Sequence, residues 1–215
     1  CINRNFTNFE EESYEKINPS TGKVLGVFPK TSEATVNDSI VFARESFKLW
    51  KRESRIKRAE FMLKVAQIIE RRKDEIATVV SLETGKNYNE SVAEVNEALH
   101  MAQYAFGSGR TPQGESVASE ISAKDSYMLR KPKGVVAIIS PWNFPLAIGA
   151  FWCAAPALVE GNTVIIKPSE DAPLSTQLAI EIYHDAGVPT GVINLIHGGG
   201  NVGEWLAKDD VDHIC

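Results

Sequence analysis

The sequence predicts an α/β fold: parallel β-α-β units in the second half, preceded by a helical region and a protruding β-ribbon. Three observations predict it. Apolar residues recur at helical spacing from about residue 32 to 110. That period lapses between 111 and 133. From Gly134 onward, short continuous apolar runs alternate with helical stretches, the pattern of strands buried on both faces. With 215 residues and 43% apolar content, the chain can bury a real core and is too apolar to be disordered.

Residues 1–30 read as strands and turns. Asn18-Pro19-Ser20-Thr21-Gly22 is a turn signal between two strand-like runs, 13–17 and 24–28. Thr31 or Ser32 can cap a helix running to about Trp50, with Val36, Ile40, Ala43, Phe47 and Trp50 on one face. A second helix spans about 55–83 on Ala59, Met62, Leu63, Ala66, Ile69, Ile76 and Val80, with Arg71-Arg72-Lys73 marking a solvated turn region. Thr84-Gly85-Lys86 supplies its glycine stop. A third, about 89–106, sets Val92, Val95, Leu99, Ala102 and Phe106 on one side and ends at Gly107-Ser108-Gly109. Residues 1–110 thus form one region.

Residues 111–133 form a second. Thr111-Pro112-Gln113-Gly114 opens a polar extended stretch, and 126–131 has strand character; we read two antiparallel ribbons that need a partner surface. Residues 134–215 form the third. Strands at 135–139, 163–166, 192–196 and 211–215 alternate with helices at about 146–159, 174–186 and 202–207. Short links between them imply parallel pairing with right-handed crossovers.

Composition excludes several classes. Net charge is −5, and residues 111–215 carry 6 basic against 12 acidic side chains, which argues against a nucleic-acid groove there. The longest strongly apolar stretch, 145–159, is short for a membrane span and contains a proline. No signal-peptide pattern opens the chain. Cys1, Cys153 and Cys215 form no CxxC pair, which fits a reducing cytoplasm. His184, His197 and His213 show no ligand spacing, so no metal is assigned. A chain starting at Cys1 and stopping on a strand reads as part of a longer protein.

Open parallel sheets bind ligands at the carboxyl ends of their strands. Three segments lie there: Ser140-Pro141-Trp142-Asn143-Phe144-Pro145, Lys167-Pro168-Ser169-Glu170, and His197-Gly198-Gly199-Gly200-Asn201-Val202-Gly203. In the first, two prolines restrict the chain around Asn143, whose amide can donate to a developing oxyanion or simply bond its own turn. In the second, Glu170 can accept from both hydroxyls of a ribose and Lys167 can reach the ribose or a phosphate; a surface salt bridge is the plain alternative. The third matches G-x-G-x-x-G at Gly198, Gly200 and Gly203, either as a phosphate loop or as a tight strand-to-helix turn. Cys153, among Phe151, Trp152, Ala154 and Ala155, reads as a core thiol.

Three blocks resemble the aldehyde dehydrogenase superfamily: Ile139-Ser140-Pro141-Trp142-Asn143-Phe144-Pro145, the run from Pro156 through Gly161-Asn162-Thr163 to Lys167-Pro168-Ser169-Glu170, and Gly187-Val188-Pro189 with Gly191-Val192-Ile193-Asn194. Asn18-Pro19-Ser20-Thr21-Gly22 and Glu83-Thr84-Gly85-Lys86 look like landmarks of the same family. The resemblance covers essentially the whole chain and corresponds to roughly the first half of a member. It implies a Rossmann-like cofactor-binding domain, truncated before the catalytic domain, and NAD(P)-dependent oxidation of an aldehyde to an acid. Carried over, Asn143 is the side-chain donor of the oxyanion hole. Ile139, Ser140, Pro141 and Trp142 line the cofactor site, Lys167 and Glu170 hold the adenosine ribose, and Gly199 and Gly203 let the adenine side approach the next helix, with Gly199 against Gly200 left open. Ser169 could donate to the phosphate of NADP, but Glu170 favours NAD, with NADP as the weaker alternative. The 111–133 ribbon resembles the family's oligomerisation hairpin, implying a homo-dimer or homo-tetramer. The family's nucleophilic cysteine and general-base glutamate fall beyond residue 215, so these 215 residues alone are expected to be inactive. A CoA-acylating or semialdehyde-reducing relative, or a non-catalytic nucleotide-binding module, are the alternatives.

Overall fold

A computed structural model describes residues 12–215; Cys1 lies outside them. Asn18 accepts from the backbone N–H groups of Ser20 and Thr21 and turns β1 (Ser13–Ile17) into β2 (Val24–Pro29), an antiparallel pair. Helix α1 (Glu33–Trp50) starts at Ser32, whose hydroxyl accepts from Thr35 N–H. The predicted second helix is two: α2 (Arg55–Arg71) and α3 (Lys73–Thr84), parted at Arg72, where φ is −106° and ψ 17°. Periodicity could not see the break, because Ile69 and Ile76 stand seven residues apart whether the helix is continuous or not. Gly85, in the left-handed region at φ 76°, ends α3 as a glycine stop should. Helix α4 (Tyr88–Ser108) buries Ser91, Glu94, Val95, Ala98, Leu99, Ala102 and Ala105, so its inward face is rotated from the predicted one and contains a carboxylate.

Residues 111–133 make one ribbon where two were expected. Strand β3 (Gly114–Val117) pairs antiparallel with β4 (Ser126–Leu129), Gly114 opposite Leu129. Its apolar side chains stay exposed among the described residues, Tyr127 at 67% and Leu129 at 66%.

The parallel sheet follows: β5 (Val135–Ile139), β6 (Thr163–Lys167), β7 (Ile193–Leu195) and β8 (His213–Ile214), in spatial order β7-β6-β5-β8. Strand β8 is shorter than predicted, although Asp212 N–H still donates to Val135 O and Cys215 N–H to Ala137 O. Between β5 and β6 run a π-helical turn (Ile148–Cys153) and α5 (Ala154–Val159). Helix α6 (Pro173–Asp185) links β6 to β7, and α7 (Gly200–Lys208) links β7 to β8.

The continuous apolar runs of β5 and β6 bury both faces, as predicted, whereas both residues of the edge strand β8 are exposed. Val136, Ile138, Val164 and Ile166 pack into one core with α2 to α6. Val135, Ala137 and Ile165 point the other way, into a second core with Val36, Ile40 and Ala43 of α1 and Val202 and Leu206 of α7. The chain turns from one side of β5 to the other after β7, so the strand order reverses at β5, the position where open α/β sheets bind ligands. No helix among the described residues is long and apolar enough to cross a membrane.

Candidate functional site

The three segments chosen from sequence meet at the carboxyl edge of this sheet. Strand β5 delivers Ile139, and Ser140 N–H donates to Lys167 O at 3.0 Å, so the chain leaves β5 tied to the end of β6. It then bends through Pro141, Trp142, Asn143 and Phe144, all exposed. Trp142 is 62% exposed, an unusual place for an indole unless something else covers it. The Asn143 amide makes no hydrogen bond within the described residues, so the turn-asparagine alternative, in which the side chain bonds its own backbone, is not what the loop adopts.

Behind the bend the backbone is fixed. Pro145, Leu146 and Ala147 are buried. Leu146 and Ala147 N–H groups, orphan donors at a helix start, both donate to Glu94 Oε1 of α4, at 2.9 and 3.2 Å. Thr176 of α6 donates from its hydroxyl to Pro145 O at 2.7 Å. The π-helical turn then crosses close to the end of β5: a Cβ on Gly149 would stand 2.6 Å from Ser140 Cβ. Ser140 Oγ is buried without a partner against it.

At the end of β6, Lys167 is only 4% exposed. Its ammonium donates to Pro168 O and Gly198 O, each at 2.7 Å, and stands 3.7 Å from Glu170 Oε2. It therefore stitches the β6 loop to the glycine loop, and its ion pair with Glu170 has a buried lysine rather than lying wholly on the surface. Burial lowers the Lys167 pKa from its ordinary value, and the Glu170 charge opposes that shift. Glu170 itself is half exposed. Ser169 is half-buried, and its hydroxyl accepts from Asp171 N–H at 3.2 Å.

Gly198 has φ 145°, and a Cβ there would meet Val202 Cγ2 at 2.4 Å, so glycine is required. Gly199 borders Glu170: a Cβ would lie 3.4 Å from Oε1, whereas one on Gly200 would meet nothing within 4 Å. At Gly203 the same test gives 3.5 Å to Lys167 Cε and 3.8 Å to Ile139 Cδ1. Gly199 rather than Gly200 thus shares a wall with the carboxylate. The loop is anchored from outside the sheet as well. Thr31 and His197 exchange backbone and side-chain hydrogen bonds, and the His197 ring lies 5.1 Å from Phe28 of β2. Burial, above all, drives the His197 pKa down to about 3, so this imidazole is neutral packing rather than a base.

A half-exposed carboxylate, a neighbouring lysine, glycines at positions a Cβ would fill and the amino end of α7 together suit a dinucleotide: the carboxylate for vicinal hydroxyls, the helix start for phosphate. The Cys153 thiol does not suit a nucleophile. Cys153 is half-buried, and burial, with Cys215 beside it, pushes its thiol up to about 12.

Three contributors escaped the sequence reading. Glu94 and Glu83 are buried acids in helices otherwise read for their apolar stripe, and Glu83 at the end of α3 accepts from Leu174 N–H, Ser175 N–H and the Ser175 hydroxyl at the start of α6. Thr176 is the third. For Glu94 a signal was available: Ala98, Ala102 and Ala105 mark a close-packed face that also contains position 94.

Residues 6–215 match the model of the aldehyde dehydrogenase family. The 1-pyrroline-5-carboxylate dehydrogenase of Staphylococcus saprophyticus is 39% identical over 209 residues, 96% of this chain and 40% of its own length. The D-glyceraldehyde dehydrogenase (NADP(+)) of Picrophilus torridus is 35% identical over 198 residues, 92% of this chain and 40% of its own. Among solved structures, betaine aldehyde dehydrogenase from Staphylococcus aureus in complex with NAD+ superposes with a TM-score of 0.89 at 32% identity, over 94% of this chain and 41% of that one. The chain thus spans about two fifths of the length of the relatives it matches.

Proposed function

The chain belongs to the aldehyde dehydrogenase family, and from that premise we propose that it is the cofactor-binding part of an enzyme that oxidises an aldehyde to a carboxylic acid with NAD. The observation that carries this reading is the exposed amide of Asn143, which makes no hydrogen bond among the described residues and lies on the loop after β5, at the same sheet edge as Glu170 and Gly199. A bound nicotinamide supplies the hydride acceptor. The chain's own residues do the rest of what is assigned here. Ile139, Ser140, Pro141 and Trp142 form the wall at the end of β5. Glu170 accepts hydrogen bonds from the adenosine ribose, and Lys167 keeps that carboxylate and the glycine loop in register. Gly199 and Gly203 leave room for the adenosine. Asn143 donates its amide N–H to the substrate oxygen as negative charge develops there, where a fixed donor costs no reorganisation.

The relatives are named for chemically different substrates at similar identity, so the particular aldehyde is not assigned. One carries NADP in its name, so NADP stays the alternative to NAD here, and the carboxylate of Glu170 is the reason to rank it second. The exposed apolar side chains of β3 and β4 suit a homo-oligomeric contact, and the free thiols suit a cytoplasmic setting. Size-exclusion mass measurement of the full-length protein with Tyr127→Lys and Leu129→Lys tests the first point: the expected result is a smaller assembly, and an unchanged mass rejects the ribbon as a subunit contact.

The activity test is NADH formation by the full-length protein across an aldehyde panel, repeated with Asn143→Ala. Loss of one oxyanion donor costs on the order of 100- to 1000-fold in turnover. A drop of less than about tenfold, or a collapse of NAD affinity instead, rejects Asn143 as that donor.

A further inference from the structure

We propose that Glu94 is a positioning residue for Asn143, acting through the backbone that follows the bend; the proposal rests on the reading of Asn143 as oxyanion donor. The helix after Asn143 begins without a cap of its own. Phe144 has no side-chain acceptor and Pro145 no N–H, so the first free donors are Leu146 and Ala147, both buried. One oxygen of Glu94, itself buried on α4, takes both. Its other oxygen pairs with the ammonium of Lys86, and that ammonium sits 4.3 Å over the ring of Phe144, the residue next to Asn143. Glu94 and Lys86 therefore grip the loop from both sides of Pro145, one at its backbone and one at its aromatic ring. The charge buried at Glu94 is paired, which lets a carboxylate hold two N–H groups inside the protein without an unmatched ion. Asn143 itself makes no hydrogen bond among the described residues, so this grip and the bond from Thr176 to Pro145 O fix the backbone on which it sits. No side chain of the pair touches the reacting atoms; the effect is one of placement.

The test is a double-mutant cycle in the full-length protein, with kcat, KM for the aldehyde and the NAD dissociation constant measured for each variant. Glu94→Ala is expected to lower kcat by about 10- to 100-fold, the cost of misplacing a reacting group by about an ångström. NAD affinity is expected to stay within about threefold. In the Asn143→Ala background, Glu94→Ala should add less than about threefold, because there is no amide left to misplace. Glu94→Gln keeps a carbonyl oxygen for both N–H groups and should recover most of the turnover. If Glu94→Ala does not fold, Glu94→Asp serves in the same cycle: it keeps the charge for Lys86 but is one methylene too short for the N–H groups. Multiplicative losses in the double variant, or a fall in NAD affinity matching the fall in kcat, overturn the proposal alone, since a merely structural role predicts them. An Asn143→Ala protein with normal turnover overturns the reading of Asn143 itself, and this proposal with it.

Discussion

Two loops leave neighbouring strands at the same edge of the sheet, the Asn143 bend after β5 and the Glu170 loop after β6. Each is followed by a helix whose first N–H groups are held by a buried glutamate from a distant helix: Glu94 for Leu146 and Ala147, Glu83 for Leu174 and Ser175. The device is the same, but the charge is settled differently. Glu94 has Lys86 as a counter-ion. Glu83 is met by neutral donors, with Lys16 acting only at a distance, and burial holds its carboxyl above the usual range. The exposed groups differ as well. The first loop presents a neutral amide suited to a developing charge, the second a carboxylate suited to hydroxyls. On the proposed reading, one loop serves chemistry and the other binding.

The largest expected effect that could break this division is the separation of turnover from cofactor affinity. Asn143→Ala should move turnover by two to three orders of magnitude and leave NAD binding nearly alone; a variant that instead loses NAD would make both loops binding loops. Next comes Glu170→Ser. A carboxylate at the ribose accepts from the two hydroxyls of NAD and repels the extra phosphate of NADP, with Lys167 offsetting part of the repulsion. A net repulsion of roughly 1–3 kcal/mol corresponds to about 5- to 150-fold discrimination. The substitution should weaken NAD and improve NADP together, read as the ratio of kcat/KM for the two cofactors. A wild-type enzyme favouring NADP, or an unchanged ratio, would place Glu170 away from the ribose.

The smallest effect sharpens the contrast between the two glutamates. Because the folded-state pKa of Glu83 is raised, its contribution to stability is full below the usual carboxylate value and is lost as pH rises through the raised one. Glu83→Gln cannot ionise and escapes that loss. Thermal unfolding of the full-length protein and the variant should therefore show the Gln form gaining on wild type as pH rises from about 4 to 7. A pH-independent gap would show that the neutral donors at the start of α6 already compensate the ion.

The crevice was legible from sequence because strand ends and turn residues are local signals. Ser140 to Pro145, Lys167 to Glu170 and the glycine run all fall just after short, β-branched apolar runs bounded by turn residues, which read as buried strands. Lys167 was legible as a charge but not as a brace: nothing local says that its ammonium is buried against Gly198 O, 31 residues on. The break at Arg72 was invisible for a different reason, since a seven-residue spacing is two helical turns with or without an interruption.

The sequence by itself determined the order of helices and strands, the parallel sheet with both faces covered, and the three loops that form the crevice. These follow from periodicities of two and 3.6 residues and from turn chemistry, which act over a few neighbours. Only the tertiary structure decided which acids are buried and which helix starts they cap. A helix start needs an acceptor about 3 Å away in space, and the one that serves Leu146 stands 52 residues earlier in the chain, while the one that serves Leu174 stands 91 earlier. No local pattern encodes a partner at that distance; packing α3 and α4 against the sheet does.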